Sequence, residues 1–286
     1  MKKLAFLLAL CLFIFQAATA QEKMSCCVKP ASNEATTQFA MLANDKSFVE
    51  KHENPLPFTL QKQAGKTITY KTPDGKTASA YEIKAAKKTN NYLFVIHEWW
   101  GLNDYIKQEA ERLHRELGDV NVIALDLYDG KIAKEREQAM QYMQAVNNER
   151  AKAIIQGAIT YAGSKADITT IGWCFGGGWS LQAALLAGNQ AEAAVIYYGM
   201  PERDVERLKT LKAPVLGIFA EQDGSITPEI VRDFEAKMKE ADKKVTIKMY
   251  DAVHAFANPS NPKYDQEAAE DAHKLAVEFI RKHLDE

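Results

Sequence analysis

From residue 90 to the end, short apolar runs alternate with stretches of helical period, and this alternation limits the possible folds more than any other feature of the chain. Residues 91–97 (NYLFVIH), 121–127 (NVIALDL), 169–173, 193–198, 213–220 (APVLGIFA) and 245–250 read as strands. Residues 104–117, 133–146, 149–162, 177–187, 228–241 and 266–283 read as helices. Strand and helix in turn mean parallel strands joined by right-handed crossovers, with helices on both faces. The nearly unbroken apolarity of the strands fits a sheet covered on both sides. Ahead of them, 66–71 and 76–84 read as a hairpin closed by Pro73-Asp74-Gly75. The expected fold is α/β: a mostly parallel sheet with helices on both faces and an N-terminal hairpin, one domain over 63–286. Residues 21–62 read as an N-terminal extension. Within it, 36–52 has the pattern of a single amphipathic helix, ended by Asn54-Pro55-Leu56-Pro57.

The first twenty residues have a different character. Lys2 and Lys3 precede an apolar run over 4–15, and Ala18-Thr19-Ala20 places small residues before Gln21. This is the layout of a secretory signal peptide cut after Ala20. The run is too short for a membrane anchor, which needs about 20 apolar residues. The protein is therefore expected to be exported, to a periplasm or to the medium, and to have no membrane span. The whole chain has a formal charge of −2, and loss of Lys2 and Lys3 takes it to −4. No basic excess remains to attract nucleic acid. Of the four cysteines, Cys11 leaves with the signal, Cys26 and Cys27 are adjacent, and Cys174 stands alone. Adjacent cysteines lack the spacing of a zinc site, and Cys174 is the natural candidate for an unpaired thiol.

Ligands of an open α/β sheet sit beyond the carboxyl ends of its strands. The residues there are 98–101, 128–130, Cys174, 198–200, Asp223 and His254, which include most of the groups able to do chemistry. Gly172-Trp173-Cys174-Phe175-Gly176-Gly177 follows an apolar strand and opens a helix. It is a nucleophile elbow with cysteine in place of serine. Gly172 and Gly176 remove bulk beside a strained turn. The helix amino end beneath the sulfur favours the thiolate, and the Phe175 N–H is placed to hold an oxyanion. A small buried core cysteine beside packing glycines is the bland alternative.

A thiol nucleophile needs a histidine. Of six, His52 falls in the extension, His114, His273 and His283 in helices, and His97 at a strand end with its side chain free to point either way. Only His254 lies late in the chain on a loop after a strand, as the order nucleophile, acid, histidine requires. The acid between them is Asp223, with Glu221 in reserve. It would fix the histidine tautomer and stabilise the imidazolium.

These residues resemble the dienelactone hydrolase family, an α/β-hydrolase fold with a cysteine nucleophile. The likeness rests on the elbow, on His97-Glu98-Trp99-Trp100-Gly101, Asp126-Leu127-Tyr128, Tyr197-Tyr198-Gly199 and His254-Ala255-Phe256. The resemblance implies that Glu98 contacts the resting thiol and helps deliver the thiolate, and that the Trp99 N–H is the second oxyanion donor. Members acting on dienelactone bind its carboxylate with two arginines. At those places this chain has Asp129 and Gly130, and Ala257 and Asn258. A neutral substrate in an aromatic pocket of Trp100, Tyr128 and Tyr198 is therefore expected. The expected activity is hydrolysis of a small-molecule ester or lactone, with no metal and no organic cofactor. The rival readings are a non-catalytic small-molecule-binding protein on the same scaffold and a thiol redox protein. Intact Cys174, Asp223 and His254 weigh against the first, and the lack of a Cys-x-x-Cys pair against the second.

Overall fold

A computed structural model describes residues 34–284. The expected signal segment and Cys26-Cys27 lie outside the described residues. The strands are β1 (Lys66–Lys71), β2 (Thr77–Ile83), β3 (Asn91–Ile96), β4 (Asn121–Leu125), β5 (Asp167–Trp173), β6 (Ala191–Tyr197), β7 (Val215–Ala220) and β8 (Val245–Tyr250). They form one sheet in the order β1-β2-β4-β3-β5-β6-β7-β8. β1 and β2 make the antiparallel hairpin, from Lys66 opposite Glu82 to Lys71 opposite Thr77. β2 pairs antiparallel with β4, and every later pairing is parallel.

Burial follows position in the sheet. Val215 to Ala220 of β7, paired on both sides, are all buried, whereas edge strand β8 alternates and exposes Thr246 and Lys248. Edge strand β1 likewise exposes Lys66 and Lys71, which discourages pairing with another chain. The α3 helix (Asp104–Leu117) packs with α9 (Gln266–Leu284) on one face, while α5 (Asn148–Ala162) and α6 (Phe175–Ala187) pack together on the other. Asn103 caps α3 by accepting from Ile106 N at 3.1 Å, and Gly118 ends it at φ 82°. α4 (Arg136–Gln144) and α8 (Pro228–Glu240) fall within the expected spans. A five-residue helix, α7 (Val205–Lys209), is too short to leave a periodic signal.

The extension departs from expectation. Residues 36–52 do not form one helix. α1 (Ala35–Met41) runs into a 3₁₀ turn at Leu42–Asn44, and α2 (Lys46–Lys51) starts afresh. The break is at Asp45, extended at φ −85° and ψ 110°, whose carboxylate accepts from Ser47 N at 2.8 Å. An aspartate competes poorly inside a helix and well at its start, so capping overrides the amphipathic period. The broken helix folds back on the sheet domain. Phe39 and Phe48 are both buried and meet edge to face at 5.8 Å, and α1 packs on α6.

The extension is thus bound into the core of the domain, and its unfolding should be coupled to that of the sheet. Phe39→Ala is expected to lower the free energy of global urea unfolding by about 3 kcal/mol, the usual cost of emptying a buried aromatic site. An unchanged global transition would show that the segment unfolds on its own.

Candidate active site

β5 ends at Trp173 and α6 begins at Phe175. The single residue between them, Cys174, has φ 56° and ψ −116°. Few non-glycine residues adopt such a backbone. The flanking glycines make it possible: a Cβ on Gly172 would strike the Gly176 carbonyl, and a Cβ on Gly176 would strike the carbonyls of Ile96 and His97. The turn is held by Cys174 N donating to Tyr197 O at 2.9 Å and by Gly177 N donating to Cys174 O at 3.0 Å. The sulfur is buried, and the Phe175 amide favours its ionised form.

His254 stands between this sulfur and Asp223. Its Nε2 is 3.4 Å from Cys174 Sγ, and its Nδ1 is 2.5 Å from Asp223 Oδ2. The other Asp223 oxygen accepts from Ser225 N at 2.8 Å and Ile226 N at 3.0 Å. A carboxylate so anchored can only receive, so Nδ1 carries a hydrogen and donates it, which leaves Nε2 directed at the thiol to exchange a proton with it. Glu221, the reserve acid, points to solvent. Burial raises the Asp223 carboxyl, but the His254 charge and these amides outweigh it and hold it below the usual range. Burial disfavours the His254 imidazolium, yet the Asp223 carboxylate and the Cys174 sulfur outweigh that and raise its proton affinity well above ordinary histidine. Burial pushes the Cys174 thiol up, with His254 opposing and Glu98 adding to the rise. The strong base that Asp223 creates therefore offsets the reluctance of a buried thiol to ionise.

Glu98 is buried at the end of β3. Its carboxylate accepts from Tyr198 Oη at 3.3 Å and from Asn258 Nδ2, and it acts on the sulfur through its charge. Burial raises it to about 7, against the pull of His254, Tyr198 and Asn258. Asn258, which marks the lack of an arginine in the sequence, is thus a buried donor to Glu98. Trp100 lines a cavity of about 80 Å³ together with Glu98, Trp173, Tyr197 and Asn258. Tyr198 lies against His254 with ring centroids 5.2 Å apart. Tyr128 is buried between His97 (4.7 Å) and Phe175 (5.2 Å). Asp129 is engaged by Arg150 at 2.6 Å.

His97 turns away from the reaction. Its Nε2 accepts from Leu127 N at 3.1 Å, so its Nδ1 must carry the hydrogen, donated to Glu98 O at 2.5 Å. It ties the end of β3 to the segment after β4. His52, assigned by sequence only to the extension, is instead at the site. Its ring lies 5.2 Å from the His254 ring and 4.4 Å from that of Trp99, and Phe48 sits 5.7 Å from His254. Burial, with the His254 charge second, lowers His52 to about 3, so its ring is neutral. No local pattern marks His52 or Phe48, because their contacts with His254 join segments some two hundred positions apart.

The burial of Glu98 sets a pH dependence of stability. Its folded pKa of about 7 lies above the ordinary 4.5, so its protonated form favours folding. That stability is full below the unfolded pKa and is lost as pH rises from about 4.5 through 7. Glu98→Gln should lack this loss. In urea unfolding, the variant's stability relative to wild type should increase by up to about 3 kcal/mol between pH 5 and pH 8. A constant difference would refute the assignment.

The sequence profile described as the dienelactone hydrolase family matches residues 78–284. Among curated proteins, the chain is 31% identical over 205 residues to Protein usf of Aquifex pyrophilus, covering 67% of this chain and 88% of that protein. It is 24% identical over 220 residues to Carboxymethylenebutenolidase 1 of Cupriavidus pinatubonensis, covering 72% and 92%. Among solved structures, a putative dienelactone hydrolase from Klebsiella pneumoniae superposes with a TM-score of 0.65 at 22% identity, covering 76% of this chain and 99% of that one. Carboxyl esterase 2 of Tuber melanosporum gives a TM-score of 0.58 at 17% identity, covering 80% and 92%. The last two show a shared α/β-hydrolase fold, and the profile match, over most of the sheet domain, places the chain in the dienelactone hydrolase family, as a hydrolase.

Proposed function

We propose that the protein cleaves a neutral ester or lactone through an acyl-thioenzyme formed on Cys174. The observation that carries this reading is His254 held between Asp223 at 2.5 Å and the Cys174 sulfur at 3.4 Å, at the end of a strained elbow. The thiol proton passes to His254 Nε2, and the sulfur attacks the substrate carbonyl carbon. The carbonyl oxygen takes up the negative charge and is held by the backbone N–H groups of Phe175 and Trp99. Collapse of this intermediate expels the alkoxide, which takes the proton from His254. A water molecule then attacks the thioester, gives a proton to His254 and releases the acid, and the sulfur regains its proton. Asp223 keeps the imidazole in the required tautomer throughout. Glu98, raised to about 7, lies close enough to bias the sulfur's charge and to share in proton delivery.

A neutral substrate is supported by the residues at the two positions where carboxylate-binding members carry arginine. Asp129 is negative and already paired with Arg150, and Asn258 is spent on Glu98. Trp100 and Tyr198 would supply apolar surface to such a substrate. Export, to periplasm or medium, is the reading that the layout of residues 1–20 supports. Amino-terminal sequencing of the natural protein, with Gln21 first, is the corresponding test.

Activity is measured on a panel of p-nitrophenyl esters and small lactones. Cys174→Ala should abolish turnover, and Asp223→Asn should reduce kcat by a factor on the order of 10³ to 10⁴, as expected when the histidine tautomer is lost. Inactivation by iodoacetamide should run in step with alkylation of Cys174. Retained turnover in Cys174→Ala would sink the mechanism.

A further inference from the structure

Hydrolysis uses the Cys174 sulfur and His254, but it leaves His52 unexplained. A ring nitrogen of His52, a ring nitrogen of His254 and the Cys174 sulfur all lie within 4.8 Å of one another, and all three residues are buried. His52 Nδ1 meets the carbonyl of Phe48 at 2.8 Å, so it carries the hydrogen and Nε2 carries the lone pair. Among the described residues, that buried Nε2 has no hydrogen-bond partner. A buried acceptor left unmatched costs about 1–3 kcal/mol, so packing alone is a poor reason for a histidine here.

The geometry points to a binding site for one zinc-type divalent cation, made by Cys174, His254 and His52. Thiolate and imidazole are the donors such an ion prefers. Each histidine is already oriented as a metal ligand is, with its other nitrogen donating to an anchor: the Asp223 carboxylate for His254 and the Phe48 carbonyl for His52. Metal bonds of about 2.0–2.3 Å place ligand atoms about 3.3–3.8 Å apart. Cys174 and His254 meet this at 3.4 Å, and His52 needs to close by about 1.5 Å at most, given the 4.8 Å limit on the cluster. Binding releases the Cys174 proton to solvent and leaves one positive charge on the ion, with Glu98 and Asp223 as buried carboxylates beside it.

Two consequences follow. An occupied sulfur cannot attack and an occupied His254 cannot move a proton, so loading switches hydrolysis off; this consequence alone rests on the reaction proposed above. The ion also ties α2 to the elbow and to the loop after β8. His52 lies outside the residues matched to the family profile, which begin at 78, so the third ligand is a property of this chain's own extension.

Cobalt(II) is titrated into the chelator-treated protein and followed by its absorption. Wild type should saturate at one ion per chain, with a thiolate-to-cobalt charge-transfer band and the visible bands of a tetrahedral site. Cys174→Ser should lose the charge-transfer band. His52→Phe keeps a ring between Phe48 and Trp99 but cannot ligate, and it should weaken binding about a hundredfold or more, beyond the usual effect of an outer-shell change. His52→Ala, checked for folding by circular dichroism, should do the same. Zinc inhibition of ester hydrolysis by the two His52 variants, each measured against its own metal-free rate, should shift to higher concentration in parallel. No charge-transfer band in wild type, or equal cobalt affinity in wild type and His52→Phe, overturns the site. The cobalt readout needs no turnover, so a protein that binds metal as described but hydrolyses nothing would refute the reaction and leave the metal site standing.

Discussion

The left-handed backbone at Cys174 is the constraint from which the rest of the site follows. One residue must turn the chain from β5 into α6, and it does so only because Gly172 and Gly176 let strand, helix and the end of β3 approach one another. Strain of this kind persists only where the surroundings over-determine it. Here the Cys174 amide is bonded to β6 and its carbonyl to the first turn of α6. Two more of the non-glycine residues at positive φ, Tyr198 at 35° and Ala255 at 60°, adjoin the same sulfur through Glu98 and His254. They end the segments after β6 and β8 at the angles needed to bring a hydroxyl and an imidazole back over the elbow. Strain is therefore concentrated where three strand ends meet.

The sheet converts that geometry into electrostatics. Asp223 and Glu98 are both buried carboxylates close to His254, yet they are driven in opposite directions. Asp223 has the imidazole and two backbone amides for partners, and their sum exceeds the cost of burial. Glu98 has a tyrosine hydroxyl and one amide side chain, and burial prevails. Splitting two acids in this way is how one pocket can supply both a permanent anion and an exchangeable proton. Neighbouring Trp99, Phe48 and His52 keep the medium around the sulfur apolar, which strengthens each of these interactions.

Much of this was legible in the sequence, and the reason is periodicity. The strand-like runs located all eight strands to within two residues at each end, and the residues beyond those ends included Cys174, Asp223, His254 and Glu98. Chain order then chose His254 among six histidines, because the fold fixes which strand ends face one another. What stayed hidden depends on side-chain direction or on long-range docking. His97 sits at a strand end like the catalytic candidates, and only the amide of Leu127 shows that its ring points into the core. Asn258 reads in the sequence only as the lack of an arginine, and its role comes from its bond to Glu98. Asp45 broke a helix whose hydrophobic period alone predicted continuity.

The extension is where local reasoning failed most, and the failure has a physical meaning. Residues 35–51 bury Phe39 and Phe48 against a domain whose family match starts only at residue 78. Part of this burial lies directly against the site, where Phe48 and His52 meet Trp99 and His254. A segment held in this way covers the thiol, lowers its local dielectric and brings a third lone-pair donor within reach of the sulfur. The sheet domain supplies the thiol and its base, while the extension supplies the rings of Phe48 and His52 packed against that base.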